Sequence, residues 1–377
     1  MRGAVSRPIV IGMSAALAVA GVSTAVVAQE EGSDGSGITT VAAGLTNPRG
    51  FGWGPDGTLY VAQAGHGGDN HVALVEGFTV DNGLTASVAT VVDGCATPVA
   101  LGLPSLLWEE AGWIWGAMDV AFHDGVPYVL ISGAGPSWFS PSSTSGVFRL
   151  NDDGTMTLIG DVSSWLPDNP PAEIPFDYGQ DGSLFDLESA GDGLLLSEAV
   201  GGQLLHVSLD GEITTLADLS AGHLVPTGIA VDEEGNAYVG HETAAPYVEG
   251  GAPVLKVTPD GEVSEQLTGL TVTTDLAFGP DGMLYASEMA TGFSGESAEM
   301  PANSGRVVRQ TGPDAFEEVV TDLPYPVNIG FDADGMLLID GPAFGPDAGV
   351  GQGWIIAVDP SQAPISFAGY TPEAMDC

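Results

Sequence analysis

The chain has 377 residues, 50 acidic against 7 basic, and a formal net charge of −43. This excludes nucleic acid as a partner, because a phosphate backbone needs a basic stripe to release its counterions. Hydrophobic residues make up 44% and charged ones 15%, with 55 glycines and 26 prolines. That composition suits one domain of many short strands and turns better than long helices.

Met1 to Ala28 reads as an export signal: Arg2 and Arg7 precede an apolar run from Ile9 to Val19, and small residues lead to a cut after Ala28. The mature protein is therefore expected to be secreted, with no membrane-spanning segment. Five basic residues then remain, Arg49, Arg149, Lys256, Arg306 and Arg309. Residues 29–37 are a flexible spacer by composition, and the folded domain is expected to run from 38 to 377.

Ile38 to Ala43 reads as a strand. A hairpin phrase then repeats six times: Gly50 to Gln63, Asp119 to Ile131, Asp186 to Glu198, Gly228 to His241, Asp275 to Glu288 and Asn328 to Gly341. In the cleanest copy, Leu276 and Phe278 alternate with small residues, Pro280-Asp281-Gly282 makes the turn, and Leu284-Tyr285-Ala286 resumes a strand. The turn glycines are expected at Gly57, Gly125, Gly193, Gly235, Gly282 and Gly335. Third and fourth strand-like runs follow, such as Leu204 to Leu209 and Glu212 to Leu216.

Four strands per unit in radial repetition predict an all-β, six-bladed β-propeller with antiparallel blades. The last unit has a third strand, Trp354 to Asp359, but no clear fourth. The N-terminal strand is therefore expected to close the ring. Between the first two units, Cys95 to Trp115 is an insertion in which Ser105 is placed to cap a short helix. Cys95 and Cys377, in the first and last units, are either a staple across the closure or two free thiols.

The order of motifs resembles the ScyD/ScyE family of exported propellers, within the wider gluconolactonase-like and NHL-like six-bladed group. The resemblance rests on Asn47-Pro48-Arg49-Gly50, Gly102-Leu103-Pro104-Ser105, Asp119-Val120-Ala121-Phe122, Val225-Pro226-Thr227 with Tyr238-Val239-Gly240, and Asp275 to Gly282, in that order. It implies a secreted six-bladed fold and no established reaction. The chain departs from the family at His241-Glu242-Thr243-Ala244 and at Phe185-Asp186. The Asn or Asp that calcium-dependent lactonases carry at inner-strand entries is replaced by Arg49, Met118, Phe185, Thr227, Thr274 and Val327.

With the first strand of each hairpin innermost, strand entries and the longest loops share one face, the top. Asp119, Asp186, Asp275 and Asn328 begin inner strands and form a ring of oxygen ligands. They are the metal candidates, with calcium as the fitting cation; the alternative is a hydrated channel lining. The second strands end in Gln63, Glu198, His241 and Glu288, and His241, Glu242 and Glu288 are the catalytic candidates. Trp138, Phe139, Tyr247, Phe293 and Phe344 fall in top-face loops and are the ligand-binding candidates. Trp53, Phe122, Phe278 and Phe331 are expected in the core between blades. The expected role is a monomeric binding module for a small molecule, a glycan or a protein, and the competing one is a lactonase-like hydrolase or lyase.

Overall fold

The computed structural model describes residues 37–377 apart from 74–78, 110–111, 139, 141, 245–246, 294–299, 346–347 and 376. The proposed signal and nearly all of the spacer lie outside the described residues. The chain is nearly all β, and the described strands form six sheets. Their innermost strands are Pro48–Trp53, Ala117–His123, Leu184–Ala190, Leu224–Val231, Thr273–Phe278 and Ile329–Phe331. Consecutive innermost strands touch, and the sixth also touches the first.

Each sheet grows outward from its hairpin because the turn chemistry is local. Asp56 Oδ1 accepts from the Thr58 N–H and Asp281 Oδ1 from the Met283 N–H, both at 3.0 Å. The next glycines, Gly57 and Gly282, take positive φ (84° and 74°), which a β-carbon would strain. Asp332-Ala333-Asp334-Gly335 and Asn151-Asp152-Asp153-Gly154 are turns of the same kind, their aspartates accepting from N–H groups two to four residues on. In the third unit the positive-φ glycine is Gly191 (57°), two residues before the expected Gly193.

Adjacent sheets are held by apolar side chains that alternate toward their neighbours. Tyr60 meets Phe122 edge-on at 5.2 Å, Tyr238 meets Phe278 at 5.1 Å, and Tyr285 meets Phe331 at 4.9 Å. In each pair a second-strand tyrosine of one sheet contacts an inner-strand phenylalanine of the next, contributing ~0.5–1.5 kcal/mol beyond burial. Trp53 packs on Phe51 at 5.4 Å beside Leu338 and Ala357 of the sixth sheet.

Ile38–Leu45 pairs antiparallel with Gly353–Val358 as the outermost strand of the sixth sheet. The C-terminal tail crosses that edge: the Tyr370 and Thr40 hydroxyls are 2.7 Å apart, and the Glu373 N–H donates to Thr40 Oγ1 at 2.9 Å. Cys95 and Cys377 form a disulfide with Cα atoms 5.5 Å apart. A covered edge cannot recruit another chain.

One expected element is different. Cys95–Trp108 is a strand, not a loop with a short helix, and it pairs along Thr79–Val92 in a long hairpin. Ser105 caps nothing; its buried hydroxyl donates to the Ala64 carbonyl and accepts from the Gly67 N–H. Leu103 and Leu106 are buried on this strand, so packing and a partner strand outweigh the helix-start pattern.

Candidate functional site

The residues that enter the inner strands are set by a repeated irregularity of pairing. Pro48 pairs with Gln63 and Gly50 with Ala62, so Arg49 is an extra residue; Met118 and Thr274 are extra residues in the same way. In the third and fourth sheets the shift spans Phe185-Asp186 and Thr227-Gly228. A bulge bends the strand and re-aims a side chain. Arg49, Phe185, Thr227 and Thr274 line one top-face cavity, while the residues that follow them face the channel below.

Those following residues are Gly50, Asp119, Asp186, Gly228, Asp275 and Asn328. Asp119 Oδ2 accepts from the Leu187 N–H at 3.3 Å, Asp186 Oδ2 from Ile229 at 2.6 Å, and Asp275 Oδ2 from Ile329 at 2.7 Å. Each carboxyl ties its own sheet to the next one. A β-carbon at Gly50 would overlap Asp119, and one at Gly228 would overlap Asp275, so glycine at those two positions admits the acids. Burial, then the charge of Asp186, pushes Asp119 well above its ordinary value, and the same two causes raise Asp275. Burial holds Asp186 at about 6 against the pull of the Ile229 N–H.

The ring acids, with Glu188, line a cavity of about 700 Å³ that opens past the inner turns, away from the top-face aromatics. Among the described residues no group of three or more His, Cys, Asp or Glu side chains is placed to hold a metal ion.

The ends of the second strands close the entry loops. Gln63 Oε1 accepts from the Thr46 N–H (2.7 Å), Glu198 Oε1 from Ser183 (3.0 Å), Glu288 Oε1 from Thr271 (2.6 Å) and Asp340 Oδ1 from Asn328 (2.8 Å). Glu288 also holds Arg306 Nε at 2.6 Å. His241 is fully buried, its Nδ1 is 3.0 Å from the Pro253 carbonyl, and burial lowers it to about 4. His241 and Glu242, successive on one strand, point to opposite faces; Glu242 lines the top-face cavity and His241 does not.

That cavity measures about 400 Å³. Its walls include Trp113, Trp115, Trp138, Phe185, Tyr247 and Phe344. The Trp115 indole N–H donates to Ser183 Oγ at 3.1 Å and that of Trp138 to the Gly182 carbonyl at 3.0 Å, which fixes both rings. Of the ligand-binding candidates, Trp138, Tyr247 and Phe344 line it. Phe293 stacks on Tyr247 at 4.8 Å and supports it, and Phe139 lies outside the described residues.

The polar groups of the cavity centre on Arg49, which is 5% exposed and lies over the rings of Phe344 (4.3 Å) and Phe185 (5.0 Å). Burial lowers its guanidinium to about 9, with Asp340 and Glu242 opposing the fall. Burial raises Glu242 and Asp340 to about 7 each, and the charge of Arg49 opposes the rise in both. In the sequence Arg49 stood out as one of five bases, as a member of the Asn47-Pro48-Arg49-Gly50 motif and as an inner-strand entry without a lactonase-type acid, but not as a ligand-binding residue. The signal that could have found it is the conjunction of that lone entry cation, in a chain so poor in bases, with Trp108, Trp113 and Trp115 clustered before the next entry.

The fold is that of a β-propeller. Two solved structures are similar over 85% of this chain: an oxidoreductase described as a glucose dehydrogenase from Thermus thermophilus, and the PQQ-bound aldose sugar dehydrogenase of Streptomyces coelicolor. The first is 14% identical, is covered over 99% of its length and has a TM-score of 0.56; the second is 13% identical, covered over 97%, with a TM-score of 0.55. A protein of unknown function from Bacteroides thetaiotaomicron is 13% identical over 85% of this chain and 75% of its own, with a TM-score of 0.54. No family model and no curated protein matches the sequence.

Proposed function

We propose that the protein is an exported, ScyD/ScyE-like propeller of six blades, its ring closed by Ile38–Leu45, that binds a small molecule in the top-face cavity. The observation that carries this reading is the cavity itself, a concave aromatic space with a few convergent polar groups, the usual form of a small-molecule site. A volume of about 400 Å³ favours a small molecule over a glycan or protein partner. The disulfide supports export, since such bonds persist in oxidising compartments. The ring acids, engaged with backbone N–H groups, are read as ties between blades rather than calcium ligands.

PQQ, held by the Streptomyces structure, is a flat quinone with three carboxyl groups. This cavity offers one cation, with Glu242 and Asp340 beside it, which does not fit such a trianion. The test is tryptophan fluorescence during titration with a panel of planar aromatic compounds. Saturable quenching is expected, weakened at least tenfold in Tyr247→Ala at unchanged Tm. A panel in which nothing saturates contradicts the reading.

A second reading, a hydrolase or lyase, is favoured by Glu242 alone, a carboxyl held at about 7 on a cavity wall and so suited to proton transfer near neutrality. Lactone or ester turnover that Glu242→Gln abolishes would establish it over the binding module.

A further inference from the structure

We propose that the top-face cavity takes a flat aromatic molecule carrying one anionic group, with Arg49 as the counter-charge of that group. The inference rests on the reading of this cavity as a binding site and adds the chemistry of its occupant. Arginine has five N–H donors and no acceptor, and a buried charge without a partner is costly. Lys256, Arg306 and Arg309 each hold an ion pair with an acid, whereas Arg49 takes part in none of the ion pairs among the described residues. Its Nε and Nη1 are buried without a hydrogen-bond partner.

Phe185 and Phe344 hold the guanidinium by cation–π contact, and neither ring offers an acceptor to its N–H edge. A carboxylate matches that edge with two parallel hydrogen bonds. The aromatic walls fix the rest of the occupant: beyond Arg49 they are mainly indole and phenyl rings, with Ser183, Thr227, Glu242 and Thr274 between them. Phe176, 88% exposed, extends this apolar surface to the rim. A cavity of about 400 Å³ suits two or three fused rings.

The number of anionic groups follows from the neighbours of Arg49. Glu242 on the cavity wall and Asp340 buried behind it lie close enough to oppose its loss of charge, and Asp177 and Tyr247 line the cavity with Glu242. One cation among these carboxyls accommodates one anion. Burial holds Glu242 and Asp340 at about 7, so both gain negative charge beside Arg49 between pH 6 and pH 8. Anion affinity therefore falls across this range, while affinity for a neutral analogue does not.

The test compares 2-naphthoate with 2-naphthamide by calorimetry on the full protein, in 0.3 M salt to screen the acidic surface. At pH 6 the carboxylate is expected to bind at least tenfold more tightly. That preference should shrink at pH 8 and vanish in Arg49→Met. Equal binding of the two compounds, or a preference that Arg49→Met retains, overturns the inference and leaves the cavity reading standing. Binding of neither compound overturns both. Should Arg49→Met fail to fold, the wild-type ratio at pH 6 and pH 8 decides alone.

Discussion

Asp186 offers the sharpest test of how the inner strands are tied together. Its Oδ2 accepts from the Ile229 N–H at 2.6 Å, and burial holds its carboxyl at about 6 instead of 3.8. The unfolded chain thus releases this proton at lower pH than the folded one, so the group lowers stability as pH rises from about 4 to about 6 and keeps it lowered above. By linkage the penalty is about 2 kcal/mol at pH 5 and about 3 kcal/mol at pH 8. Asp186→Asn keeps an acceptor for Ile229 but cannot ionise. It should stabilise the protein, by on the order of 1 kcal/mol more at pH 8 than at pH 5. Asp186→Ala leaves the Ile229 N–H buried and unpaired and should fall ~1–3 kcal/mol below Asp186→Asn at both pH values. Urea denaturation midpoints of the three proteins at pH 5 and pH 8 give these differences. An asparagine variant no more stable than wild type at pH 8, or no better than the alanine variant, would refute the assignment.

Gly228→Ala should destabilise by ~2 kcal/mol or more, because its β-carbon would overlap the Asp275 backbone, which cannot move aside cheaply; calorimetric Tm checks it against Gly222→Ala, where nothing lies nearby but φ is positive. Cys377→Ser should cost ~2–4 kcal/mol by freeing a loop of 282 residues in the unfolded chain, and a reductant should then leave the variant's Tm unchanged while lowering the wild type's. Deleting residues 38–45 should expose the edge of Gly353–Val358 and lower Tm sharply, whereas deleting 29–36 should not; equal Tm values would contradict closure by that strand.

Much of the architecture was legible because each hairpin carries its own instructions. Pro280-Asp281-Gly282 and its copies set turns through bonds between residues two apart, and period-two alternation marks which side chains meet the next blade. The strand Cys95–Trp108 was not legible, since its partner Thr79–Val92 is polar in patches and the pairing is a property of two segments. The site was legible only in part for the same reason. A bulge at Arg49 exists in the register between Pro48–Trp53 and Leu59–Gln63, and neither strand alone displays it. The ring acids could be placed on the axis by repeat position, yet their bonds to Leu187, Ile229 and Ile329 depend on the distance between blades. Trp138, Tyr247 and Phe344 could be placed near this cavity because bulky aromatics in loops near a channel are conspicuous; Trp113 and Trp115 were hidden in a segment read as an insertion, and Phe185 stood only as an inner-strand entry that departs from the family pattern.

The most direct test of the central claim is a crystal structure of the protein grown with 2-naphthoate. The account predicts the carboxylate at ~3 Å from the Arg49 guanidinium, with the naphthalene rings among Trp115, Tyr247 and Phe344. Naphthoate bound at the acid-lined cavity, or seated among the aromatics with its carboxylate turned away from Arg49, would contradict it.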